Sequence, residues 1–206
     1  MIKKIFFVFV AAIMTFAVAV FVHLGAYKSP HIAVRSIPAM TLLYVEHVGP
    51  YNEVAPLMDK VQLWAIAHHL SCNKTFGFYL DNPQTTEERR LRSHVGCVLT
   101  STAPTPDALC PTPSAEGSST CYKVEQFPAG RYIWASFDGS PAIGPFKVYP
   151  RIYDFARGHR LKTDAASLEV YTVRGQKNLT TEYYVAFNGA SHVRARSGYQ
   201  AGSPNR

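Results

Sequence analysis

The chain has 206 residues, 47% of them hydrophobic, and a formal net charge of +7. That length supports one domain with a core of its own beyond any terminal segment. Lys and Arg are scattered rather than blocked, and no zinc spacing, recognition helix or Gly/Arg-rich tail accompanies them. The balance therefore reads as a basic surface with no nucleic-acid partner.

After a short basic cap (residues 1–4, with Lys3 and Lys4), residues Ile5 to Val22 are apolar but for Thr15, and Leu24 to Ala26 extend the run. Residues 5–26 are long enough to cross a bilayer as a helix, either as an anchor or as a signal. The run exceeds the usual signal core and no A-x-A site closes it, which favours a single-pass anchor. Lys28 and Arg35 nearly balance Lys3 and Lys4, so the charges leave the orientation open.

Residues 31–187 read as one domain built from a repeat. The first half (31–99) runs Ile37-Pro38-Ala39, the β-rich TLLYVEHVG, a helical stretch to Leu70, then KTFGFYLDN. The second half (121–187) runs Phe127-Pro128-Ala129, RYIWASFDG, a helical stretch to Leu161, then ASLEVYTVR. His94 to Leu99 and Glu182 to Phe187 supply a further strand each. Val54, Leu57, Met58 and Val61 recur at helical spacing, as do Ile143, Phe146, Tyr149, Ile152, Tyr153 and Ala156. Each half is thus strand–helix–strand–strand. The predicted fold is α+β: a duplicated βαββ unit, with one antiparallel sheet and both helices on one face. Residues 100–120, rich in Pro, Ser and Thr, are a linker, and residues 188–206 a disordered tail.

Cys72, Cys97, Cys110 and Cys121 lack zinc spacing, and the first expected disulfide is Cys110–Cys121 across the linker. Asn73-Lys74-Thr75 and Asn178-Leu179-Thr180 are glycosylation sequons. His68 and His69 fall at a helix end, where the dipole favours them. No G-x-S-x-G, H-E-x-x-H or phosphate loop is present, and neither a metal site nor a cofactor is predicted.

Strand alternation supplies candidate site residues. Leu43, Val45, Phe78, Leu80, Ile133, Ala135, Phe137, Leu168 and Val170 are expected to pack under the helices. The opposite face is expected to collect Tyr44, Glu46, Tyr79, Tyr132, Trp134, Glu169 and Tyr171. Aromatic walls with an acid suit a flat cationic or amphipathic ligand, through apolar burial, cation–π contact and charge pairing. Aligning the halves makes Tyr79 equivalent to Tyr171 and Gly77 to Glu169.

Three pieces in this order, E-H-x-G-x-Y at Glu46, His47, Gly49 and Tyr51, F-Y-L-D-N-P at 78–83 and L-E-V-Y at 168–171, resemble the GyrI-like, or effector-binding, family. The resemblance implies a doubled βαββ fold with a ligand cleft between the halves and places Glu169 at the family's acidic contact position. Some members are hydrolases, so Glu169 as a water-activating base is an open alternative. D-N-P at 81–83, V-G-x-x-L at 95–99, F-P-A at 127–129 and L-E-V-Y also resemble membrane-anchored ER-phagy receptors of GyrI-like type. That resemblance implies a second alternative, a receptor or scaffold domain with a protein partner at the endoplasmic reticulum membrane. The tail, however, lacks the acid-flanked aromatic-x-x-aliphatic motif of such receptors.

Overall fold

Two short strands that the repeat did not announce complete the architecture. The computed structural model describes residues 2–100, 109, 121–174 and 178–188. Most of the expected linker, including Cys110, and the expected disordered tail beyond residue 188 lie outside the described residues. The elements in chain order are α1 (Ile2–His23), β1 (His31–Ile37), β2 (Met40–Val48), α2 (Ala55–Ala67), β3 (Cys72–Tyr79) and β4 (Arg92–Leu99). They continue with β5 (Lys123–Phe127), β6 (Gly130–Asp138), α3 (Gly144–Gly158), β7 (Thr163–Arg174) and β8 (Asn178–Phe187).

The strands form one eight-stranded sheet in the order β1-β6-β8-β7-β3-β4-β2-β5, with every pair antiparallel. The α+β fold and its duplicated strand–helix–strand–strand order are as predicted. The additional strands β1 and β5 are exchanged: β1, which opens the first half, pairs with β6 of the second, and β5, which opens the second, pairs with β2 of the first. Their connections, Pro38-Ala39 and Pro128-Ala129, are two residues long and join opposite ends of the sheet. The sheet must therefore curl so that its ends approach. Leu42, Phe76, Phe127, Tyr132, Trp134, Leu168 and Tyr184 fill the inside of that curl, and the Phe127 and Tyr132 rings stack at 5.1 Å.

The other face carries the helices. α2 buries Met58, Val61 and Ala65 against Leu43, Val45, Val95 and Cys97. α3 buries Val148, Ile152 and Ala156 against Ile133, Ala135, Phe137 and Val185. Each fully buried aliphatic side chain contributes about 1.5–3 kcal/mol. Both helices open with a proline in the first turn, where no backbone donor is lost. Both end in the same left-handed turn, at His69 (φ 55°) and Arg160 (φ 56°), closed by Leu70 N–H donating to Ala65 O and Leu161 N–H to Ala156 O. His68 Nδ1 lies 2.9 Å from the Trp64 carbonyl oxygen, and its ring stacks on the Trp64 ring.

The disulfide joining β3 to β4 is Cys72–Cys97. Cys121 is also disulfide-bonded, while its expected partner Cys110 lies outside the described residues. α1 is exposed from Lys3 to His23, and its length and composition are compatible with a single membrane span or a signal sequence. Two residues beyond it, Gly25, with a φ of +71°, turns the chain. There the chain is tied to the β6–α3 turn: Ser140 N–H donates to Leu24 O at 3.0 Å, and Lys147 Nζ donates to Ala26 O and, at 2.5 Å, to Lys28 O.

Candidate functional site

Cross-strand register decides which side chains share a face, because directly paired residues point to the same side of a sheet. Gly77 pairs with Glu169, Thr75 with Tyr171 and Tyr79 with Ser167. Gly77 also pairs with Val95, which pairs with Val45. Glu169 pairs with Tyr183, which pairs with Ala135. Tyr79, Glu169 and Tyr171 therefore lie on the helix-bearing face, with Leu43, Val45, Ile133 and Ala135.

There they form the floor of a cleft of about 1400 Å³ between α2 and α3. Tyr51, Val54, Met58 and Tyr79 line one side, and Pro145, Phe146, Tyr149 and Tyr153 the other. Glu169 is 3% exposed. Its Oε1 accepts from Tyr149 Oη at 2.7 Å and its Oε2 from Tyr171 Oη at 3.0 Å. Tyr79 Oη is 3.0 Å from Tyr171 Oη, and Ser167 Oγ 2.7 Å from Tyr149 Oη. Each hydroxyl has one proton, so Tyr79 donates to Tyr171, Ser167 donates to Tyr149, and both chains end on Glu169.

Burial pushes the Glu169 carboxyl up to about 7, against the two phenol hydrogen bonds that pull it down. Burial and the nearby carboxylate hold the Tyr79, Tyr149 and Tyr171 hydroxyls above the ordinary phenol range. The three phenols remain donors across the physiological range. The carboxyl alone changes charge, inside an aromatic cleft where an unpaired charge is costly.

Gly77 makes the network possible. A Cβ there would sit 2.6 Å from Tyr79 Oη, so the Tyr79 ring lies across the glycine to reach Tyr171. Tyr79 is held from behind by the Tyr51 ring at 4.6 Å. The Tyr51 hydroxyl donates to the Asp81 or Arg92 carbonyl (2.9 and 3.1 Å) and accepts from Asp81 N–H. Asp81 in turn takes the Arg92 guanidinium through both carboxylate oxygens, at 2.8 and 2.6 Å, and that hydrogen-bonded partner holds its carboxyl below the usual range. Thus Tyr51 and Asp81-Asn82-Pro83, singled out in sequence as motif pieces, form the cleft's outer support.

The expected grouping of seven residues on one face is corrected. Tyr44, Tyr132 and Trp134 are buried inside the curl, on the face away from the cleft. Tyr44 stacks on His94 at 4.3 Å, Tyr132 Oη donates to Pro128 O, and Trp134 Nε1 donates to Glu182. Glu46 is exposed and pairs with Lys123 at 2.7 Å. Leu168, Val170 and Phe78, expected under the helices, belong to the curl as well. Alternation correctly separated neighbours within each strand, but the phase between strands is a register property. Sequence reasoning missed Tyr149 as a partner of Glu169, and Ser167 behind it as a partner of Tyr149. Tyr149 stood in the helix's apolar stripe, where it reads as core.

The sequence profile of the GyrI-like small molecule binding domain matches residues 30–187. The chain belongs to this family. Among curated proteins, a DNA gyrase inhibitor from Pectobacterium carotovorum subsp. carotovorum (strain PC1) is 38% identical over 65 residues, 31% of this chain. The chain spans only 42% of that relative's length. Among solved structures, the EcmrR C-terminal domain superposes with a TM-score of 0.54 at 10% identity, covering 78% of this chain and 98% of that one. SAV2435 bound to tetraphenylphosphonium superposes with a TM-score of 0.50 at 11% identity, covering 77% of this chain and 94% of that one. At such identities the likeness is one of fold, and the GyrI-like fold here has the α+β layout described above.

Proposed function

We propose that this GyrI-like domain binds a small amphipathic cation in the cleft between α2 and α3, with Glu169 as its charge partner and Tyr51, Tyr79, Tyr149 and Tyr171 as aromatic walls. The observation that carries this reading is a carboxyl buried on the floor of an aromatic cleft, with phenol hydroxyls as its hydrogen-bond partners. A cation entering the cleft would pair with the carboxylate and hold it ionised. Tetraphenylphosphonium, the ligand of one fold neighbour, is a suitable probe. With Glu169 titrating at about 7, its affinity should rise about tenfold between roughly pH 6 and pH 8 in calorimetry, following the ionised fraction. Glu169→Gln should weaken binding and abolish that slope. Equal affinities and slopes for the two proteins would refute the assignment.

The same carboxyl, ionising near neutrality, also fits a general base, which keeps a hydrolase as a second reading. It requires turnover of an electrophilic substrate that is lost in Glu169→Gln. A membrane anchor is read from α1, and a receptor role at the endoplasmic reticulum has no support beyond that helix. Cys72–Cys97 weighs against a cytosolic domain, where thiols are kept reduced.

A further inference from the structure

We infer that the rim of the cleft at the amino end of α3 rests on the membrane that α1 enters, so that the cleft takes its amphipath from the lipid. The amphipath part rests on the ligand reading above; the membrane contact does not. Three observations converge on this rim. First, the end of α1 is fastened to the domain: Ser140 N–H holds Leu24 O, and Lys147 holds the Ala26 and Lys28 carbonyls. Gly25 packs so closely on Gly139 that a Cβ would meet its Cα at 3.1 Å. Second, the residues that follow this fastening, Pro141, Ala142, Pro145 and Phe146, line the cleft, and none of residues 141–146 is charged. Phe146 is 81% exposed, an unusual place for a large ring beside an apolar helix end.

Third, register brings a second apolar element to the same end. Asp138 pairs with Thr180, and Thr180 Oγ1 donates to Asp138 Oδ1 at 2.6 Å. The neighbouring cross-strand pair Val173 and Leu179 also lines the cleft, with Val173 73% exposed. The turn that receives α1 is therefore flanked by Phe146 on one side and by Val173 and Leu179 on the other. Tyr27, exposed at the end of the span, is of the type found at headgroup level. A short fastened connection allows little separation between domain and bilayer, and a lipid surface is the occupant that covers this rim without leaving α1.

The test uses the full chain reconstituted in phosphatidylcholine vesicles with brominated or plain acyl chains. Phe146→Trp adds a reporter at the rim, and Leu63→Trp adds one on the exposed side of α2 in the other half. After subtraction of the parent chain's emission, bromination should remove about half of the signal from Phe146→Trp, as for a side chain at the headgroup–acyl boundary, and leave that from Leu63→Trp unchanged. Equal quenching of the two, or none of either, overturns the inference. Rim quenching without tetraphenylphosphonium binding refutes the ligand reading while the membrane contact stands; binding without rim quenching does the reverse.

Discussion

Met58 of α2 and Tyr149 of α3 occupy equivalent places, each about two turns before the buried Ala65 and Ala156. Gly77 of β3 and Glu169 of β7 are equivalent too, and pair directly across the centre of the sheet. The first half thus brings a thioether and a glycine to the cleft, and the second a phenol and a carboxyl. The difference teaches why the repeat is broken there. Cross-strand partners have Cβ atoms about 4.5–5.5 Å apart, so two acids at this place would force one to stay protonated. With glycine opposite, a single carboxyl occupies the centre, and the Tyr79 ring from the first half fills the space and feeds a hydrogen bond to it.

The largest way to separate the halves is at the disulfide, since the second half has no cysteine pair equivalent to Cys72 and Cys97. Replacing both with alanine should lower unfolding free energy by about 3 kcal/mol in urea titration, and protease cutting should appear first around β3 and β4.

Glu169→Gln comes next and tests the acid itself. The native state holds this proton more tightly than the unfolded chain, so the group's contribution is most favourable below its ordinary range near 4.5 and falls as pH rises to about 7. Above that pH its ionisation costs roughly 3 kcal/mol. The variant should therefore melt higher than the parent at about pH 8 and nearly with it at about pH 4. A stabilisation of equal size at both would show that Glu169 is not titrating in this window.

Gly77→Ala gives the smallest effect and sharpens the comparison most. The new methyl must displace the Tyr79 hydroxyl, a movable group, so a loss of about 1–2 kcal/mol is expected. Losing the Tyr79–Tyr171 bond should also raise the midpoint of cation binding, read from the pH dependence of tetraphenylphosphonium affinity. An unchanged midpoint would show that the bond does not tune Glu169.

Much of this was legible without coordinates. Helical spacing at Val61 and Ile152, the paired I/F-P-A turns and the matched strands announced a doubled unit and made Gly77 the counterpart of Glu169. Strands β1 and β5 were missed because each pairs outside its own half, so neither lengthens the repeat. Tyr44, Tyr132 and Trp134 alternate along their strands like cleft residues. What buries them is the curl that two short connections impose on an eight-stranded sheet.

Neighbours along the chain were enough to give the order of elements, the alternation within each strand and the inequality of the equivalent positions Gly77 and Glu169. Tertiary structure alone decided which face each strand shows to the helices, that Tyr149 meets Glu169, and that α1 is fastened beside the cleft's rim. Those facts depend on register and packing between segments far apart in the chain, where no local periodicity carries the information.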